Sequence, residues 1–147
     1  MDNTDLAIRN LTYSRFVELG RAPTAGEIAS SADLPAPDVH AAWRRLQDAH
    51  ALVLFPGSGE IHMANPFSAV PTPHRVDADG RSWFGNRAWD AFGICAALHV
   101  DGTISTTCPD CGTAMEIAVR STAPSDPASL FHCLVPAAHW WDDIAFT

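Results

Sequence analysis

Residues 35–67, "PAPDVHAAWRRLQDAHALVLFPGSGEIHMANPF", hold two periodicities in succession. In the first half Val39, Trp43 and Leu46 recur at i, i+4 and i+7, which puts them on one stripe of a helix. In the second half an apolar run meets Pro56-Gly57-Ser58-Gly59 and resumes at Ile61, the pattern of a hairpin. Upstream, residues 5–19 read as a helix with Thr4 as its cap and Gly20 as its stop. "TAGEIASSADL" opens with Thr24 and carries Glu27 three residues on, the spacing of a capping box and a second short helix. Three helices and a hairpin give residues 1–67 the outline of a winged helix-turn-helix. By analogy of fold alone, the third helix of such a scaffold enters DNA.

Charge argues against that partner. The nine basic residues are all Arg, against 17 acids, for a net charge of -8. A duplex binder needs a basic stripe for phosphates. The nearest thing here is Arg44-Arg45, set between Asp38 and Asp48. DNA is therefore an unfavoured partner, and the bland reading is a packing or dimerisation module, which leaves a homodimer open. The chain has 147 residues, 47% of them hydrophobic, enough for a real core. No apolar run approaches the roughly 18 residues of a membrane span. "MDNTDLAIRN" is acidic and polar, unlike a signal peptide. A cytoplasmic protein without membrane contact is expected.

Past the hairpin, residues 68–80 ("SAVPTPHRVDADG") are poor in apolar residues and read as a linker or an extended edge segment. A second domain then covers 81–147. Its first stretch, residues 81–98, reads as a helix with Trp89, Phe92 and Ala96 on one face. Residues 102–108 and 113–121 read as strands around a turn, 123–129 as a loop and 130–136 as a strand. His139, Trp140 and Trp141 are expected to pack the end of this domain. The fold class is α+β: a winged-helix-like module followed by a small mixed α/β domain.

All four cysteines lie in the second half: Cys95, Cys108, Cys111 and Cys133. Clustered thiols in a cytosolic chain bind metal or react more often than they pair. Cys108-Pro109-Asp110-Cys111-Gly112 has the shape of a zinc knuckle. A structural zinc needs four ligands, and Cys133 and His132 are the candidates to complete the set. Neighbours on a strand face opposite ways, so only one of those two can join. A redox pair would sit at a helix N-terminus, where the thiol pKa falls. The plain alternative is two reduced thiols at a tight turn. Cys95, in "GICAAL", reads as a small core residue. Asp90 lies among Trp89, Ala91 and Phe92. Burial would raise its proton affinity and let it shuttle protons. Arg87, at i-3, offers a plain salt bridge instead.

"NRAWDAFGICAALHVDGTISTTCPDCG" (86–112) followed by "FHCLVPAAHWWDDI" (131–144) resembles the alkylmercury lyase family. The resemblance implies a helical, winged-helix-like N-terminal part and a small mixed-sheet catalytic domain. It implies that two cysteine thiolates capture mercury while an aspartate delivers a proton to the leaving carbon. A hydrocarbon and mercuric ion result, no cofactor is required, and the ion passes to a thiol carrier. Carried over residue by residue, the family's Asp matches Asp90, and its first catalytic Cys falls on Arg87. The interval from Asp90 to Cys108 matches the family's interval to a further, non-catalytic Cys. The family's second catalytic Cys follows a Phe; here Phe131 is followed by His132 and then Cys133. Arg has no lone pair to give a soft metal. This departure implies weakened capture and turnover, with Arg87 holding Asp90 ionised. Cys95 would replace the lost thiol only if the helix broke at Gly93, because five helical residues carry it off the Asp90 face. The chain also ends earlier than the family's last helices require, which reads as divergence or truncation.

The first functional expectation is thus a lyase-like protein binding mercury, an organometal or another soft metal through Cys133 and Cys95, with Asp90 and Arg87 alongside. The alternative is a non-enzymatic, zinc-binding winged-helix regulator or interaction protein using Cys108, Cys111, Cys133 and His132. A third reading has Arg87 clamping an anionic substrate.

Overall fold

A computed structural model describes residues 2–126 and 128–144. Helix α1 (Asn3–Leu19) starts two residues earlier than the sequence indicates. Its cap is Asp2, whose carboxylate accepts from the Asp5 amide at 2.8 Å, rather than Thr4. It stops at Gly20, whose φ of 68° is the left-handed cap expected there. Helix α2 (Ala25–Ala32) opens with the Thr24/Glu27 capping box. Helix α3 (Ala36–Asp48) buries Val39, Trp43 and Leu46 completely.

Two polar ties lock α1 to α3 inside this packing. The Trp43 indole donates to Thr12 Oγ1 at 3.0 Å, and Thr12 passes its own proton to the Ile8 carbonyl at 2.8 Å. Arg45 reaches Asp5 through Nε and Nη2, the latter at 2.6 Å, and Asp5 is only 1% exposed. Half of the one basic pair that suggested DNA is therefore committed to an internal carboxylate.

The expected hairpin forms from β1 (Val53–Leu54) and β2 (Ile61–Ala64). It does not end there. Strands β3 (Phe67–Ser68), β4 (Arg75–Ala78), β5 (Arg81–Gly85), β6 (Gly102–Thr107), β7 (Ala114–Arg120) and β8 (Ala123–Pro124) continue it. The sheet order is β1-β2-β3-β5-β4-β6-β7-β8, antiparallel throughout. Residues 68–80, expected as a linker or edge segment, thus supply a strand with neighbours on both sides. Val76 and Ala78 alternate inward there, and two apolar residues suffice for so short a strand. The helix expected over 81–98 is split. Ser82, Trp83 and Phe84 extend into β5, and only Ala88–Leu98 is helical, as α4.

α4 packs on the sheet through Ala91, Ile94 and Cys95. Gly85 explains its closeness: a Cβ there would stand 2.7 Å from the Ala91 amide nitrogen. Phe16, Phe67 and Trp83 join the helical layer to the sheet, with Phe16 and Phe67 stacked at 5.2 Å and the Trp83 indole donating to the Val17 carbonyl. The strand expected at 130–136 is absent among the described residues; that segment is irregular and exposed. A 3-10 turn, Ala137–His139, follows it.

Candidate active site

The site gathers at the N-terminus of α4. Arg87 is the N-cap residue and has no acceptor to give the helix. The third helical residue, Asp90, supplies the return half of a cap by accepting from the Arg87 amide at 3.1 Å. The Asp90 side chain is 16% exposed, and its Oδ2 lies 3.9 Å from Arg87 Nη1. Burial raises the Asp90 pKa to about 6, with Arg87 and its amide opposing. Arg87 acts in the expected direction, favouring the ionised form, but burial outweighs it. The salt bridge offered by the i-3 spacing is present at 3.9 Å, and Arg87 Nη2 also donates to the Ile144 carbonyl. Burial also draws the Arg87 pKa below its ordinary value. The raised proton affinity of Asp90 is the one the lone-carboxyl reading anticipated.

The segment that carries Cys133 returns to this end of α4. Phe131 lies on Trp89 with ring centroids 5.6 Å apart, and Ile144 meets Arg87. Cys133 itself is exposed, its thiol donating to the Val135 carbonyl at 2.9 Å. Because 130–136 is no strand, the rule of opposite faces does not separate Cys133 from His132. Trp140 folds its indole onto the same Val135 carbonyl at 2.8 Å. Trp141 stacks on His50 at 4.3 Å, tying this segment to the residues just after α3. Trp89, next to Asp90 in the chain, and Phe131 form an exposed aromatic pair, and Leu130 and Leu134 are exposed on the same segment as Phe131. Asn86 joins from below, donating to Asn65 Oδ1 at 2.8 Å, while its own Oδ1 is buried without a partner.

Cys95 stands apart. α4 runs unbroken through Gly93, which packs against Pro66, so the break that would turn Cys95 toward Asp90 does not occur. The thiol is 3% exposed and packs on the Gly102 backbone, and burial pushes its pKa up. Cys108 and Cys111 sit at the β6–β7 tip, likewise apart from Cys133. Among the described residues no three His, Cys, Asp or Glu side chains converge as a metal would need. The four-ligand zinc set of Cys108, Cys111, Cys133 and His132 is therefore not assembled. Two open surface hollows, one lined by Arg15, Thr24 and Ser31 and one by Arg75, Asp77 and Arg81, contain neither thiol nor imidazole.

The sequence reading missed Trp89 as a wall of the site and Ile144 as the Arg87 partner. The first has a signal, an indole next to an acid at the start of a helix. The second has none, since a backbone carbonyl carries no side-chain signature.

Fold and site together define a small α+β protein with a largely buried carboxyl at a helix N-terminus, where the C-terminal segment returns through Phe131 and Ile144. Residues 67–147, more than half of the chain, match the family model of alkylmercury lyase (MerB), and the chain belongs to that family. Among solved structures it is similar to the mercury-bound form of MerB2, at 20% identity and a TM-score of 0.65. That similarity covers 86% of this chain and 60% of the other, so the chain spans somewhat over half of that protein. Comparison with curated proteins gives no match. Among the described residues no helix is long and apolar enough to cross a membrane.

Proposed function

We propose that the protein is an organomercurial lyase-like protein in which Cys133 is the soft-metal ligand and Asp90 the proton donor. The observation that carries this reading is Asp90 itself. It is a carboxyl held half out of water, with a pKa near 6 despite a neighbouring Arg. Protonolysis of a carbon–mercury bond needs a proton available near neutral pH and delivered to carbon while sulfur holds mercury. The aromatic pair of Trp89 and Phe131 suits the organic group of such a substrate. Arg87 occupies the position of the family's first thiol and supplies no electron pair. Capture therefore rests on Cys133 with a second thiol from solution or carrier, and turnover is slow. Cys95 stays a core thiol in this scheme. The three helices with β1 and β2 are read as a winged-helix-like module serving as a packing platform, with no duplex bound.

Native mass spectrometry after one equivalent of phenylmercury tests this, with benzene release measured in parallel. A bare-mercury adduct with benzene, both lost in Asp90→Asn, is the expected result. A phenylmercury adduct that persists in the natural chain would show that a thiol binds but no proton is delivered. An unaltered response in Cys133→Ser would remove Cys133 from the reading.

A further inference from the structure

The β6–β7 tip carries chemistry that the reading above does not use. Cys108 and Cys111 are both free thiols on one tight turn. The turn is closed by backbone: the Cys108 amide donates to the Thr113 carbonyl and the Gly112 amide to the Cys108 carbonyl, each at 2.9 Å. Gly112 takes φ of +71°, with open space where a Cβ would stand. Within the turn, the Cys111 thiol lies 3.2 Å from Thr113 Oγ1. The thiolate is the form that binds metal.

The position of the tip is as informative as its thiols. Phe84, Arg75 and Ser105 face one another across β5, β4 and β6. In the next row the Gly85 amide donates to the His74 carbonyl at 2.8 Å, and His74 Nδ1 meets Thr106 Oγ1 at 2.8 Å. Arg87 follows Gly85 by two residues, and Cys108 follows Thr106 by two. The dithiol and the α4 N-terminus therefore leave the same end of the sheet, two strand spacings apart, or about 10 Å.

We infer that Cys108 and Cys111 form a second, two-thiolate site for a soft, linearly coordinating cation such as mercuric ion. Two ligands at one turn satisfy such an ion, whereas a structural zinc requires four, which this tip does not assemble. Binding is ligand exchange without redox change. Two S–Hg bonds form, two thiol protons pass to water, and two chlorides leave when mercuric chloride is the probe. Chelation supplies the affinity. The second thiol acts at an effective concentration on the order of millimolar, so losing either Cys weakens binding against a micromolar competing monothiol by on the order of 10²-fold or more. The site does not depend on carbon–mercury cleavage.

The test uses the full chain with Cys95→Ala and Cys133→Ser, which leaves only the tip thiols. One equivalent of mercuric chloride is added against a graded monothiol competitor. Native mass spectrometry is expected to show one mercury per chain, with two hydrogens lost and no chloride or competitor attached. Adding Cys108→Ser or Cys111→Ser should make the same competitor strip the metal at about a hundredth of the concentration. A mercury that carries chloride or competitor, or equal retention in the single-thiol variants, would overturn the bidentate site. So would zinc retained at the same concentration, since that demands further ligands. Should the double variant not fold, the natural chain must lose one tightly held mercury equivalent on Cys108→Ser alone, and failure to do so refutes the site.

Discussion

Asp90 is where one residue sets both chemistry and stability. Its pKa is about 6 in the folded chain and near 3.8 when unfolded, so the folded state binds the proton more tightly. Between those values the unfolded chain carries fewer protons, and stability falls as pH rises. Two units of difference correspond to about 3 kcal/mol, present below pH 4 and lost by pH 7. Asp90→Asn keeps an acceptor for the Arg87 amide and removes the charge. Urea unfolding at pH 4.5 and 7.5 should show the variant gaining stability over the natural chain at the higher pH, by about 2 kcal/mol. Benzene release from phenylmercury should disappear in the same variant. A site that is more stable without its acid is one whose acid is kept for chemistry.

The elements that place this acid were legible in unequal measure. Thr24/Glu27 and Gly20 marked helix ends because caps are local chemistry, and Val39, Trp43 and Leu46 marked a buried face because the period is local too. Residues 68–85 were misread because β4 and β5 are short, and their pairing is with each other and with β6, not with anything the local pattern displays. Asp90 and Arg87 were legible as a helical pair. The second bond of the Arg87 side chain was not, because its acceptor is the Ile144 carbonyl 57 residues away. Gly85 shows how finely these elements fit. Gly85→Ala would set its Cβ against the backbone of Ala91 and Asp90, which cannot swing aside as a side chain would. The expected cost is about 1–3 kcal/mol, with α4 displaced and Asp90 with it. Thermal unfolding should register the first, and a shift of the Asp90 pKa, followed by carboxyl NMR, the second. On the other layer, Arg45→Met would leave the buried Asp5 carboxylate without its cation, and the variant should be less stable than the natural chain at neutral pH. Arg45 holds the Asp5 pKa below its ordinary value. Its contribution is therefore present above the unfolded pKa of about 4 and lost as pH falls through the folded one. The stability gap between Arg45→Met and the natural chain should shrink in acid.

At the scale of the molecule, the question is whether the helical layer and the sheet behave as one unit. The sequence suggested two bodies joined by 68–80, but those residues lie inside a ladder that runs without interruption from β1 to β8. Two further links cross the expected boundary. Phe67 contacts both Phe16 and Trp83, and the Trp83 indole donates to the Val17 carbonyl. Separating the layers would expose Phe16 and Phe67, which are 0% and 2% accessible. Burying two such rings contributes roughly 3–6 kcal/mol, a large fraction of the stability of a chain this size. Partial unfolding that frees one layer would forfeit that contribution and leave β1–β2 as an isolated hairpin, which is marginal in water. The chain should therefore unfold in a single cooperative step. Trp43 reports on α3 and Trp83 on β5, so Trp43→Phe and Trp83→Phe separate the two fluorescence signals. Urea midpoints from each variant, each compared with its own far-ultraviolet circular dichroism, should coincide. A Trp43 signal that melts apart from the Trp83 signal would restore the two-body description, and would make the α4 site a property of the sheet alone.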